Sequence, residues 1–269
     1  MIYICVAAHN DEATVGLLLW KVRQVFAAFP REYQLLVVDD GSSDTTGEVL
    51  DRYQRALPMT ILRHDAPRGP AASYDALLRE ALRRSDRPRR DVALVLPADF
   101  SVSPDGIPEL LRRIDSGADL VVGEAPARPL PATERLVLRL ARWLLRPGIQ
   151  VPGVRDLLSG CLAVRLVAVK QQLREHAAPL LVCDGLASRA ELVARTASGA
   201  RHVTVTDVPS PAAIPEARRR PGALRLAMQL ARAGRRVRIP PPVTRGPEPA
   251  AAPAGAGAGA GAGTGEAAS

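Results

Sequence analysis

The feature that most constrains this chain is a regular alternation along its first half. Apolar runs rich in β-branched residues stand at 2–7 (IYICVA), 34–40 (QLLVVDD), 59–64 (MTILRH), 92–98 (VALVLPA) and 118–123 (ADLVVG). Between them lie segments with helical spacing, at 12–27, 45–55, 70–84 and 106–115. Short continuous apolar runs are strands buried on both faces, and strands alternating with helices build a mostly parallel sheet with helices on both sides. The expected class is therefore α/β, Rossmann-like. Thr45 and Glu48 have capping-box spacing, which predicts that the second helix starts there.

After Gly123 the pattern changes. The segment 131–148 (PATERLVLRLARWLLRPG) interleaves leucines and Trp143 with Arg135, Arg139, Arg142 and Arg146. It predicts a basic amphipathic helix that either faces the core or rests on a membrane surface. A strand is expected at 161–165, a helix at 185–196 and a strand at 202–207. The Pro/Ala/Gly-rich end lacks side chains that could bury a core and reads as a disordered tail. The organisation expected is one half at 1–125, a second half of the same domain at 126–235, and the tail at 236–269.

Charge narrows the partners. The chain carries a formal +8 with a pI near 10.2, and Lys21 and Lys170 are its only lysines, so the excess is arginine. Such a balance suits nucleotides, phosphorylated lipids, anionic membrane surfaces or nucleic acid. The lack of any recognised nucleic-acid module, with 3% aromatic residues, argues against the last. Cys5, Cys161 and Cys183 are far apart and form no metal-binding spacing; they read as small core residues in a reducing compartment. The N-terminal apolar run lacks a basic leader and no run reaches the roughly 18 residues of a membrane span. A cytoplasmic location is expected, with peripheral contact at the inner membrane face.

The polar residues with chemistry cluster at strand ends. His9, Asn10 and Asp11 follow the first strand, Asp39 and Asp40 the second, and Asp99 with Ser101 the fourth. Open α/β sheets bind ligands at that edge. Asp39 and Asp40 belong to opposite faces, so one is expected to turn into the structure and the other toward a ligand. Gly41 permits the turn, while Ser42, Ser43 and Asp44 can accept from amides at the helix start. Neither a dinucleotide G-x-G-x-x-G after a strand nor a Walker A sequence is present.

In their order, VAAHNDEATVGLLL, LLVVDDGSSDTTGEVL, RGPAASYDALLREAL, LPADFSVSPDGIPELLRRI and ADLVVGE resemble the N-terminal domain of glycosyltransferase family 2, which has the GT-A fold. LLRPG, RDLLSGCLAVR and VPSPAAIPEARRRPGALRL are most similar to its polyprenyl-phosphate (dolichol-phosphate) mannose synthase branch. The resemblance runs over about 2–226. It implies transfer of a sugar from a nucleotide diphosphate sugar to an acceptor, a polyprenyl phosphate in that branch.

Carried over by position, the resemblance places the nucleotide sugar at Ala7, His9, Asp11, Val38, Asp40 and Ala98, with Arg219 and Arg225 on its phosphates. It assigns Asp99 to the second acid of a D-x-D, holding Mg²⁺ or Mn²⁺ with Ser101 on the metal side. Asp156 falls in a D-x-x-S-G-like element near the reacting centre, where it is the candidate base for a hydroxyl acceptor; Arg135, Arg155 and Ser159 are placed on the acceptor side. The chain departs from the family at Pro97, which stands for the first D-x-D acid, at Ala125, where an arginine is common, and at Leu224, in place of a serine. These departures define the alternative, a relative that binds nucleotide sugars without transferring them.

Overall fold

Tyr3 and Cys5 point to one side of the first strand and Ile4 and Val6 to the other, and each pair is buried in a different hydrophobic cluster. The same parity holds along the second strand, where Leu36 and Val38 join the first cluster and Leu35 and Val37 the second. A strand with both faces buried must have helices on both sides. The computed structural model describes residues 1–125, 132–175, 179–210 and 222–240.

Seven strands form one sheet: β1 (Ile2–Ala8), β2 (Tyr33–Asp39), β3 (Met59–Arg63), β4 (Val92–Pro97), β5 (Leu120–Glu124), β6 (Leu162–Arg165) and β7 (Val203–Asp207). Their order is β3-β2-β1-β4-β6-β5-β7. β6 runs antiparallel to β4 and β5, while the other neighbouring pairs are parallel. β6, from the stretch after 125, is inserted between β4 and β5, so the stretches 1–125 and 126–235 interleave in one sheet.

The helices are α1 (Glu12–Ala28), α2 (Thr46–Gln54), α3 (Pro70–Arg84), α4 (Ile107–Asp115), α5 (Ala132–Leu145), α6 (Leu166–Glu175), α7 (Ala187–Ser198) and α8 (Ala223–Arg236). α1 and α4 bury Leu18, Leu19, Leu110 and Ile114 against one face, and α3, α6, α7 and α8 close the other. Each fully buried aliphatic side chain contributes about 1.5–3 kcal/mol. Cys5, Cys161 and Cys183 are buried and unpaired, as small core residues should be. Burial pushes each thiol up to about 12, which leaves them unreactive.

Three local expectations need correction. α2 starts at the place predicted, but Thr45 makes no side-chain cap. Its amide and hydroxyl instead donate to Glu12 Oε2 at 3.0 and 2.6 Å, and Asp44 accepts from the Thr46 amide at 2.9 Å. A carboxylate from the neighbouring helix outcompetes the local partner. α6 and α8 go beyond the helices that the sequence pattern predicts. Finally, the tail does not begin at 236, because Val237 and Ile239 are buried and the Ile239 amide donates to the Gly148 carbonyl at 2.9 Å. Residues 241–269 lie outside the described part.

α5 does not choose between core and solvent. Ala141 and Leu145 are buried, with Val137, Leu138 and Leu144 packed beside them. Leu136, Leu140 and Trp143 form a second stripe at i, i+4 and i+7, exposed at 56, 45 and 68%.

Candidate active site

The strand ends come together as the register requires. Ala7 of β1 pairs with Val38 of β2 on one side and with Pro97 of β4 on the other. Ala7 and Val38, both expected at the nucleotide, thus sit side by side, and Ala98 follows directly after Pro97 at the same edge. Phe100 is a bulky residue held at φ 51, and Asn10 is at φ 53. Positive φ in a large non-glycine residue costs free energy and is found where surrounding structure fixes a special geometry. Both residues follow strands at this edge, and Phe100 adjoins Asp99.

The loops after β1 and β2 are tied to each other. His9 Nδ1 lies 2.7 Å from the Asp40 carbonyl oxygen, the Ser43 amide donates to Asn10 Oδ1 at 2.8 Å, and the Asp11 amide donates to Thr46 Oγ1 at 2.9 Å. Asp11 is buried and accepts from the His9 amide at 3.0 Å.

The prediction that only one of Asp39 and Asp40 turns inward is not met: they are 6 and 4% exposed. Asp39 accepts from the Ser42 amide at 3.1 Å and faces Arg63 at 3.3 Å. Asp40 accepts from His64 Nδ1 at 2.6 Å and from the Arg68 and Gly69 amides at 2.9 and 2.8 Å. Burial works against the charge on Asp40, yet these donors hold its pKa below the ordinary value. The loop 64–69 folds back onto the carboxylate, a long-range contact that face parity cannot reveal.

On the other side of β4, two distant segments meet. Asp99 Oδ1 accepts from the Ser101 amide at 2.9 Å, and its Oδ2 lies 3.5 Å from Arg189 Nη2. Ser101 is buried. Arg189, on α7, also donates through Nη1 to the carbonyls of Leu158 and Ser159 at 3.3 and 3.4 Å. Burial opposes its charge, but Asp99 and Tyr74 raise its pKa above the ordinary value.

Asp156 occupies the loop that Arg189 grips. Its Oδ1 accepts from the Leu158 amide at 2.9 Å, and Glu124 at the end of β5 accepts from the amides of Arg155 and Asp156 at 2.6 and 3.3 Å. Burial, with some repulsion from Glu124, raises the Asp156 pKa against the lowering effect of the amides and Arg189. Ser159 is buried, its hydroxyl accepting from the Cys161 amide at 3.3 Å, while the Arg155 side chain is exposed.

Asp99 and the backbone of Leu158 and Ser159, in the loop that carries Asp156, therefore meet at one guanidinium. Arg225 is placed elsewhere, lining a cavity of about 320 Å³ between α7 and α8 with Cys183, Asp184, Arg232 and Arg236. Arg219 and the Arg135 side chain lie outside the described residues. Arg189, Tyr74 and Glu124 join the site without a signal in the sequence. Arg189 is one arginine among many in a chain with two lysines, and no spacing in LASRAELVARTASG marks it.

The family model for Glycosyl transferase family 2 matches residues 3–163. The chain belongs to that family. Similar proteins include the polyprenol monophosphomannose synthase of Mycolicibacterium smegmatis, 28% identical over 169 residues, covering 60% of this chain and 60% of that protein. The dolichol-phosphate mannosyltransferase of Pyrococcus furiosus is 27% identical over 175 residues, covering 62% and 47% respectively. The family 2 chain thus spans less than two thirds of the length of these relatives. Among solved structures, glucosyl-3-phosphoglycerate synthase from Mycobacterium tuberculosis, in complex with Mn²⁺, UDP and phosphoglyceric acid, superposes with a TM-score of 0.59 at 19% identity. That match covers 88% of this chain and 75% of the other. The GT-A fold expected from the sequence is confirmed, and divalent metal occurs within that fold. The binding-only alternative finds no support in these relatives.

The metal expectation for this family 2 chain meets a different donor set. The residues carried over offer one carboxylate, already paired with Arg189 and the Ser101 amide, and one buried serine. Pro97 adds none. Among the described residues no group of three His, Cys, Asp or Glu side chains could hold a metal ion. These residues do not make a fitted metal site.

Proposed function

We propose that this family 2 chain transfers a sugar from a nucleotide diphosphate sugar to a polyprenyl phosphate. The observation that carries the reading is the convergence of Asp99, from the end of β4, with the loop bearing Asp156 and Ser159 around the partly buried Arg189. The lipid-phosphate acceptor is supported by the names of the two mannosyltransferase relatives.

In the reaction an acceptor phosphate oxygen attacks the anomeric carbon while the bond from that carbon to the diphosphate oxygen breaks. The electron pair leaves with the nucleoside diphosphate. Negative charge grows on that leaving group, and preorganised positive charge in a site shielded from water lowers the barrier most effectively. A phosphate oxygen is already anionic, so its attack needs no general base. Asp156 then serves to hold the 155–159 loop against Arg189.

The acceptor's lipid chain needs an apolar approach. Among the described residues no helix is long and apolar enough to cross a membrane. α5 presents Leu136, Leu140 and Trp143, and α8, packed against it, presents Leu224 and Met228. Arg139, Arg142 and Arg146 are also exposed on α5 and at its end. This surface is suited to peripheral contact with an anionic bilayer.

The test is to incubate the full chain with GDP- and UDP-linked sugars, with and without a polyprenyl phosphate in detergent. Nucleotide release and lipid-linked sugar are then measured. Lipid-dependent release with formation of the glycosyl lipid is expected. Release to a soluble acceptor alone would replace the polyprenyl reading.

A further inference from the structure

The partly buried arginine beside Asp99 bears on how a diphosphate is neutralised. Arg189 is held from two directions, by Asp99 and by the carbonyls of Leu158 and Ser159. Its side chain is 16% exposed and that of Asp99 21%. The stem passes over Gly160, where a Cβ would fall 2.9 Å from Cδ and Nε. The space for the guanidinium thus depends on a residue without a side chain. Arginine keeps its charge at any physiological pH. A divalent ion bound at Asp99 would have to share its carboxylate with this fixed cation, and Pro97 supplies no second acid to offset the repulsion.

We propose that Arg189 is the built-in cation of this site. Paired with Asp99, it takes the charge-neutralising role toward the donor diphosphate that the family resemblance assigns to a metal, so nucleoside diphosphate binds without a divalent ion. The proposal rests on the donor-site reading above. Arginine and metal clamps stabilise a departing phosphate by the same electrostatics, and a guanidinium does so through directed hydrogen bonds.

UDP and GDP binding to the full chain is measured by calorimetry in excess EDTA and again with MgCl₂ or MnCl₂. Affinity for at least one of them is expected to be the same within about threefold in both conditions. Arg189→Gln should weaken binding in EDTA by about tenfold or more, the scale of a charge-assisted hydrogen bond, and Arg189→Lys should restore part of it. In Pro97→Asp/Arg189→Gln, binding should return only when Mn²⁺ is present, a response that a merely structural arginine would not produce. Because Arg189 variants can disturb the 155–159 loop, Mn²⁺ electron paramagnetic resonance on the unaltered chain gives an independent measure, with no protein-bound ion expected. Binding that appears only with metal, or Mn²⁺ held by the unaltered chain, overturns this proposal alone. Absence of binding under every condition overturns both it and the donor-site reading.

Discussion

Gly160 and Arg189 are matched in space: a Cβ on the glycine would stand 2.9 Å from both Cδ and Nε of the arginine and 3.1 Å from its Cζ. Gly160 also has φ +72, a left-handed backbone that L side chains resist. Gly160→Ala therefore adds strain and displaces the guanidinium. The expected loss is about 1–3 kcal/mol in urea unfolding, together with weakened nucleotide binding. Gly153 shares the left-handed backbone, at φ +83, but a Cβ there would meet nothing within 4 Å. Gly153→Ala should cost stability and leave binding intact; equal binding losses in both variants would show that Arg189 is not the link.

Asp156 distinguishes two acceptor chemistries. A general base contributes about 10²–10⁴-fold to rate, whereas a phosphate nucleophile needs none. Asp156→Asn should retain turnover within about tenfold on a lipid-phosphate acceptor. A loss in the larger range would mark Asp156 as a base and the acceptor as a hydroxyl.

The legible part of this molecule is the part fixed by local pattern. Unbroken apolar runs specify the central strands β1, β2 and β4, because side chains alternating on a strand with both faces covered are nearly all apolar. The ends of those strands then bring Asp40 and Asp99 to one edge without knowledge of packing. What escaped were contacts between remote segments: the 64–69 loop closing on Asp40, Glu12 displacing a local cap at Thr45, and Arg189 reaching Asp99 across 90 residues. α8 escaped too, although its residues are strongly segregated around the helix, with Leu226, Leu230 and Ala233 buried and Leu224 and Met228 exposed.

The carboxylates predict opposing pH effects on stability. Asp40, Asp44 and Asp91 have pKa values lowered in the folded state, and Glu80 is lowered to about 2 by Arg83 and Arg84, with burial opposing. In the acid range the unfolded chain binds more protons than the folded one at these groups. Their stabilisation, present above the unfolded values of 3.8 and 4.5, is lost as pH falls toward 2. Asp156 is raised, chiefly by burial, so its contribution is present below the unfolded value and lost as pH rises through the folded one. Urea midpoints should fall on acidification below about pH 4.5, and Asp156→Asn should be neutral or stabilising at pH 7. A variant destabilised at pH 7 would show that the bond from the Leu158 amide to Asp156 outweighs its burial.

α5 and α8 approach through glycine. A Cβ on Gly234 would lie 2.5 Å from the Leu144 carbonyl oxygen and 2.9 Å from that of Leu145. Alanine in a helix interior is normally favoured over glycine by about 1 kcal/mol. Here the contact is with backbone, which cannot rotate aside. Gly234→Ala should therefore destabilise by about 1–3 kcal/mol, the range of an overpacked core, read from the unfolding midpoint. Stabilisation would mean that the two helices separate without penalty.

The exposed stripe of α5 makes the membrane reading testable. Had the helix been an ordinary core element, Trp143 would be buried, yet it is 68% exposed while Ala141 and Leu145 carry the packing. Leu136 and Leu140 continue the stripe, and Arg139, Arg142 and Arg146 are exposed beside it. Each basic residue near an anionic surface contributes about 1 kcal/mol, and each apolar side chain fully withdrawn from water about 1.5–3 kcal/mol. Together these are sufficient for reversible attachment without a spanning helix. Sedimentation with vesicles containing phosphatidylserine should therefore show binding that weakens with salt. Changing Arg139, Arg142 and Arg146 to glutamine should abolish the salt-sensitive part, and Leu136, Leu140 and Trp143 to serine the remainder, with unfolding midpoints preserved because neither set faces the core. Binding indifferent to both sets of changes, or none to the unaltered chain, would sink the membrane reading and move the acceptor toward a soluble molecule.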